Sequence, residues 1–430
     1  MRQDLRRRLR EMGVVRGVRE LATLPPRRRV AIEDLVTGRF RTTAHGRCFV
    51  AEATYPLDHR HGDLSLSSFL DLSPEMMARV GQEDALARID DLRQVCFLDT
   101  ETTGLSGGAG TMAFVVGVGF FVEDADAATE FHLHQYFLRD PGDEPAMIED
   151  LAERLSSLGA LASFNGRAFD VPILENRFIL GRISPPTSAM PHLDLLLPAR
   201  RLWRYHLPSC KLGTIEQEVL GVRREQDDVP SGEIPYLYRD YLRTGDAREM
   251  QRVLYHNAID ILSLVTLATR LCRAFADPWT DPALSGGEFY GLGRWYAAEG
   301  CLDETERAYR AALAKANIDP ETRARTLREL AYLLKRADRR DEAFAYWQQL
   351  ALETTDTAPD DAILAHVELA KHFEWHVEDP ALAAGWTRAA IAVAEGWPAG
   401  LLRDDTLAEL NHRLERLENK MGNRGESRDA

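Results

Sequence analysis

Apolar residues along this chain fall into short unbroken runs, then into runs of helical spacing, and finally into a longer helical repeat. Val95-Cys96-Phe97-Leu98 is a short apolar run bounded by polar residues, and Met112 to Val122 is a longer one rich in Val, Phe and Gly. Both patterns predict buried strands. Phe131 to Phe137 alternates weakly and suits a third strand, while Glu144 to Leu158 carries Met147, Ile148, Leu151, Leu155 and Leu158 at helical spacing. Leu161-Ala162-Ser163-Phe164 predicts a fourth strand that runs into a polar turn and then a helix, Phe169 to Leu180. Met250 to Phe275 predicts one long helix carrying Leu254, Ile261, Leu264, Val265 and Leu271. From Met1 to about Asp91 the pattern is mixed and turn-rich, as in His59-Arg60-His61-Gly62-Asp63, and it assigns no fold.

The last third differs in kind. Leu292, Leu330 and Leu369 begin similar helical segments, and Tyr309, Trp347 and Trp386 sit at matching places in the helices that follow. The repeat is roughly 38 residues. Its unit resembles a tetratricopeptide-type helical hairpin, nearest at Gly291-Leu292-Gly293-Arg294-Trp295-Tyr296 and Ala308-Tyr309. One hairpin cannot bury its own apolar face, so stacking is required. An irregular helical bundle is the plain alternative. The pattern divides the chain into an N-terminal region (1–90), an α/β domain (91–278), an all-α helical-repeat domain (286–417) and a charged, frayed tail (418–430).

At 430 residues with 45% hydrophobic content, the chain supports at least two cores. Its five cysteines are scattered and form no CxxC pair, which argues against a zinc knuckle or a disulfide framework and predicts a reducing, cytoplasmic setting. Arg2, Arg6, Arg7, Arg8 and Arg10 are followed by no apolar run of signal-peptide or membrane-span length, so neither export nor a membrane is expected. A net charge of −15 opposes nucleic-acid binding in general. Clustered carboxylates neutralised by metal would weaken that objection, and so would a local basic track such as Arg200, Arg201, Arg204 and Lys211. With Trp203 and Tyr205 between them, these cations either grip phosphates and stack bases or form a solvated helix face over a buried tryptophan.

The candidate chemistry is acidic. In Phe97-Leu98-Asp99-Thr100-Glu101-Thr102-Thr103-Gly104-Leu105, strand alternation puts Asp99 and Glu101 on one face. Such a pair is costly unless a divalent ion relieves it, and phosphodiester hydrolysis between two metal ions needs several acidic oxygens. In Ser163-Phe164-Asn165-Gly166-Arg167-Ala168-Phe169-Asp170, the strand ends, the Asn-Gly turn breaks the backbone, and Asp170 falls in a first helical turn where the dipole favours its charge. In Tyr255-His256-Asn257-Ala258-Ile259-Asp260, His256 lies four residues before Asp260 and shares its helix face. Asp194 follows a short apolar turn and reads as an orienting residue rather than a ligand.

Together these words resemble the three exonuclease motifs of DnaQ-like DEDD nucleases, and Cys96 to about Cys272 is most similar to the bacterial YprB-type ribonuclease-H-like domain. Supporting words are Gly110-Thr111-Met112-Ala113-Phe114, His192-Leu193-Asp194-Leu195-Leu196, Ser209-Cys210-Lys211-Leu212 and Ile234-Pro235 before Tyr238. The resemblance implies a mixed five-stranded sheet flanked by helices with its first strand central, two Mg²⁺ or Mn²⁺ ions, and hydrolysis of nucleic acid, DNA or RNA, at a single-stranded end. It makes Asp99, Glu101, Asp170 and Asp260 the metal ligands, sets Thr102, Thr103 and Leu105 beside the terminal nucleotide, and puts Asn165 on the substrate. Arg200, Arg201 and Lys211 are the candidate phosphate contacts.

The third motif departs from the family. DEDD enzymes carry a tyrosine four residues before the aspartate or a histidine five before it, whereas here His256 and Tyr255 occupy exchanged places. His256 is the favoured general base, since imidazole titrates near neutrality, and Tyr255 is the alternative. The expected activity is a metal-dependent 3'-5' exonuclease, with a protein partner or the product strand on the repeats. The rivals are an interaction scaffold and a ribonuclease-H-type endonuclease.

Overall fold

The computed structural model describes residues 29–104, 110–123, 129–224 and 229–426, with only the backbone of 423–426. Leu105 and the N-terminal arginines lie outside the described residues. Among the described residues nine strands follow one another: β1 (Gly38–Thr43), β2 (Gly46–Pro56), β3 (Arg60–His61), β4 (Leu64–Ser65), β5 (Val95–Thr102), β6 (Ala113–Glu123), β7 (Thr129–Phe137), β8 (Ala160–Ser163) and β9 (His192–Asp194). The α-helices described in the sheet-bearing part are α1 (Pro74–Gly81), α2 (Glu144–Ser156), α3 (Asp170–Leu180), α4 (Leu196–Trp203), α5 (Leu212–Ile215), α6 (Ile234–Thr244) and α7 (Arg248–Ala276).

Among the described residues the main sheet is mixed and has seven strands, in the order β1-β2-β7-β6-β5-β8-β9. The expected five strands correspond to β7-β6-β5-β8-β9, with β5 central, antiparallel to β6 and parallel to β8. The correction comes from the N-terminal region. Gly46, at φ 129°, lets the chain reverse between β1 and β2, and β2 then pairs antiparallel with β7 through Phe49↔Phe137 to Pro56↔Glu130. That pairing buries Cys48, Phe49, Val50 and Ala51.

β5 is buried on both faces, which is why it reads as an apolar run rather than an alternation. Cys96 and Leu98 face a core built with α2, α3 and α6, while Val95 and Phe97 face the core that contains α1 and α7. Two glycines of β6 admit α7 to the sheet. A Cβ on Gly117 would stand 2.3 Å from Asn257 Oδ1, and one on Gly119 would stand 2.6 Å from Ile261 Cγ2. Gly117→Ala is therefore expected to destabilise the fold by about 1–3 kcal/mol, an overpacking cost readable as a lower urea midpoint at unchanged m. An unchanged midpoint would mean that α7 does not need the glycine.

Beyond α7 come three helical hairpins and a last helix: α8 (Gly286–Glu299) with α9 (Leu302–Ala314), α10 (Pro320–Arg336) with α11 (Arg340–Thr354), α12 (Pro359–Trp375) with α13 (Pro380–Glu395), then α14 (Leu401–Glu426). Leu292, Leu330 and Leu369 are buried in α8, α10 and α12, and Tyr309 and Trp347 are buried in α9 and α11. This region fits a helical repeat domain. The segment expected to fray from Glu418 is helical as far as Glu426, because Leu417 is buried and Arg413, Arg416 and Lys420 converge on buried Glu374.

The repeats dock directly on the sheet-bearing part. Trp203 is fully buried and its Nε1 donates to Glu288 Oε1 at 2.9 Å, so its ring is closed to a base. Gly291 is needed at the contact, since a Cβ there would lie 2.6 Å from Leu202 O. Phe275 of α7 meets Trp295 of α8 edge to face with centroids 4.2 Å apart. Tyr205 is likewise occupied: its carbonyl accepts from Thr322, and Arg294 and Arg325 lie over its ring. No helix among the described residues is long and apolar enough to cross a membrane.

Candidate active site

Pairing between β5 and β8 ends at Phe97↔Ala162, so Asp99 and Glu101 run on beyond their parallel neighbour. They share the face of Val95 and Phe97, which is the face α7 covers. A register shift between Glu101 and Thr102 then marks the end of regular pairing with β6. From α7, Asn257 donates to Asp99 Oδ2 at 2.7 Å, and its own Oδ1 accepts from Gln135 at 2.8 Å. Asn257 thus fixes Asp99 from a helix position inside the third motif.

The acids crowd one another. Burial first, then the negative charges of Asp260, Asp170 and Glu101, hold the Asp99 carboxyl well above the usual carboxylate range, against the pull of Asn257. Asp170, 5% exposed at the start of α3, is raised by burial to about 6 although Thr100 and backbone groups donate to it. Thr100 Oγ1 lies 2.5 Å from Asp170 Oδ1. Asp260 accepts from Arg224 Nη2 at 2.6 Å, and His256 Nε2 stands 3.4 Å from Asp260 and 3.8 Å from Glu101. Arg224 Nη1 lies 2.9 Å from His256 Nδ1; a guanidinium only donates, so Nδ1 accepts and the ring proton sits on Nε2.

Among the described residues, no three His, Cys, Asp or Glu side chains are already gathered where one ion could sit. Each instead has a hydrogen-bond partner: Asp99 has Asn257, Asp170 has Thr100 and Asp260 has Arg224. The donor set nevertheless fits a hard dication, being four carboxylates whose mutual repulsion a cation would relieve. Asp99, Glu101, Asp170 and Asp260 are the residues that could hold one.

The remaining site residues fall in different places. Asn165 sits in the left-handed region at φ 67°, in a turn that Asp194 holds by accepting from the backbone N–H of Asn165 and Arg167. Thr102 Oγ1 donates to Gly104 O at 2.8 Å, and Thr103 Oγ1 accepts from Met112 N. A cleft of about 630 Å³ is walled by Asn165, Arg200, Lys211, Arg224, His256 and Asp260, which sets basic side chains beside acid. Arg201 does not line it: one residue on from Arg200, the helix turns it toward Gln82. Burial first, and then the neighbouring Tyr255, hold the Tyr55 phenol of β2 above its usual range, whereas His256 faces the acids. A second, more apolar groove of about 350 Å³ lies among the repeat helices, near Phe344, Trp347 and His372.

Sequence reasoning missed Asn257, Thr100, Glu216 and Arg224. Asn257 lies inside the third motif, but an uncharged amide beside His256 and Asp260 carries no mark of its contact with Asp99. Thr100 was hidden because alternation points it away from Asp99. Glu216 and Arg224 belong to a turn with no periodicity to flag them.

A mixed sheet with acids on its central strand, on a helix start and on a long crossing helix is ribonuclease-H-like, and a model of the RNase_H superfamily matches residues 96–272. The fold is of the nuclease type. More particularly, a Bacillus subtilis (strain 168) protein described as "Uncharacterized protein YprB" is 32% identical over 329 residues, covering 76% of either chain. The chain belongs to the YprB family of ribonuclease-H-like proteins.

Proposed function

We propose that this chain is a metal-dependent 3'-5' exonuclease that hydrolyses phosphodiester bonds at a single-stranded end of DNA or RNA. The observation that carries the reading is the crowding of Asp99 by Asp260, Asp170 and Glu101 beside a cleft with basic walls. Asp99, Glu101, Asp170 and Asp260 would hold two ions, Mg²⁺ or Mn²⁺. When bound, such ions supply the positive charge that offsets the charge developing on the attacked phosphate and the leaving oxygen.

The chain's own residues do the rest. Arg200 and Lys211, which line the cleft with Asn165, take phosphates of the strand, and Asn165, Thr102 and Thr103 would border its last nucleotide. His256, facing Asp260 and Glu101, removes the proton of the attacking water, with Tyr255 as the alternative base. The helical repeats offer a surface to a protein partner.

The test uses the full chain with 5'-labelled single-stranded DNA and RNA. Stepwise shortening from the 3' end in Mg²⁺ or Mn²⁺ is expected, and chelation with EDTA is expected to stop it. Cutting of a circular or end-blocked strand would instead favour a ribonuclease-H-type endonuclease. No cleavage of any strand with either metal would leave an interaction scaffold.

A further inference from the structure

Arg224 is bound to three side chains at once. Its Nε and Nη2 lie 3.0 and 2.8 Å from Glu216 Oε2, its Nη2 donates to Asp260 Oδ1 at 2.6 Å, and its Nη1 donates to His256 Nδ1 at 2.9 Å. Of these partners, Glu216 is an anchor built to stay in place. It is 1% exposed and accepts from Ser263 Oγ at 2.7 Å, and that oxygen lies 2.8 Å from Nε2 of buried His61. Glu216 also opens a π turn, Glu216–Leu220, against which Gly62 packs so tightly that a Cβ would stand 1.9 Å from Leu220 O. The N-terminal hairpin β3–β4 thereby braces the anchor, and π turns are frequent at functional sites.

The other two partners are site residues. A guanidinium keeps its protons and its charge, so while Arg224 occupies one lone pair of Asp260 Oδ1 an incoming cation must compete with that fixed positive charge for the carboxylate. Donation to Nδ1 likewise leaves the His256 proton on Nε2, the nitrogen that faces Asp260 and Glu101 and would have to accept the proton of water. One arginine therefore engages both a ligand and the base. It also lines the cleft with Arg200 and Lys211, where phosphates would run, and its planar fork suits a phosphate as well as a carboxylate.

We propose that Arg224 is a phosphate-operated latch: it holds Asp260 and His256 until a phosphodiester enters the cleft, then passes to that phosphate while still tethered to Glu216. Strand and divalent cation then load together, and a cation without a strand binds weakly. The latch rests on the nuclease reading above.

Titration calorimetry on the full chain with Mn²⁺, and with AMP as the phosphate probe, tests it. Arg224→Gln is expected to tighten Mn²⁺ binding without nucleotide by about tenfold, and to weaken AMP binding by about as much. Because that change leaves buried Glu216 without its cation, the double variant Glu216→Gln with Arg224→Gln repeats the measurement with no stranded charge, and circular dichroism confirms its fold. Mn²⁺ affinity equal to or below that of the unaltered protein in the folded variants would overturn the latch. Asp99→Asn separates the two readings: if it alone loses Mn²⁺, the metal site stands whatever Arg224 does. If the unaltered protein and both Arg224 variants bind no Mn²⁺, latch and nuclease fall together.

Discussion

Asp99→Asn is expected to lower nuclease turnover on the order of 1,000-fold while raising the midpoint of thermal unfolding. The two effects have one cause. Burial and three neighbouring acids make the Asp99 charge unfavourable, and an amide removes that charge at nearly the same shape. An amide oxygen still accepts from Asn257 Nδ2, now 2.7 Å from Asp99 Oδ2, so the link to α7 survives. The charge that strains the fold is the one a divalent cation would use. Turnover and a circular dichroism melt on the same sample check this, and retained activity or a lower midpoint would show that Asp99 is not the crowded centre of the site.

Trp203→Ala is expected to cost about 3–5 kcal/mol, the range for deleting a large buried aromatic. Trp203 is fully buried between α4 and α8. Its indole donates to Glu288, which also accepts from Ser285 N at 2.8 Å and so closes the capping box that begins α8. Truncation would open a cavity and remove a donor from a buried carboxylate in one step. Urea unfolding read by circular dichroism measures the loss, and Trp203→Phe is expected to lose less. A loss below about 1 kcal/mol would mean that this contact is a loose surface rather than core.

Much of the sheet was legible because burial on both faces leaves a continuous apolar run, as in β5 and β6. Alternation alone also put Asp99 and Glu101 on one face, and it is the face that α7 covers. The hairpin β1–β2 was not legible, since Phe40 is the only large apolar side chain in β1 and the far half of β2, Glu52 to Pro56, is only partly covered. β9, three residues long, gives no period to read. Arg224 escaped for another reason: its worth lies in joining Glu216, Asp260 and His256, which are remote in sequence and come together only in the fold. Trp203 shows the limit of composition, because a basic stretch with aromatics reads alike whether it stacks bases or docks a neighbouring domain.

A single apolar cluster runs from Leu66 through Phe275 to Leu369, and α7 lends its first half to the acids and its last turn to Trp295. Cutting the chain after α7 to obtain a minimal enzyme would thus strip cover from Trp203 and Phe275 and leave a sticky fragment. Poor behaviour of such a fragment would report a torn interior, not an inert catalyst, so dissection by point substitution is the sounder route.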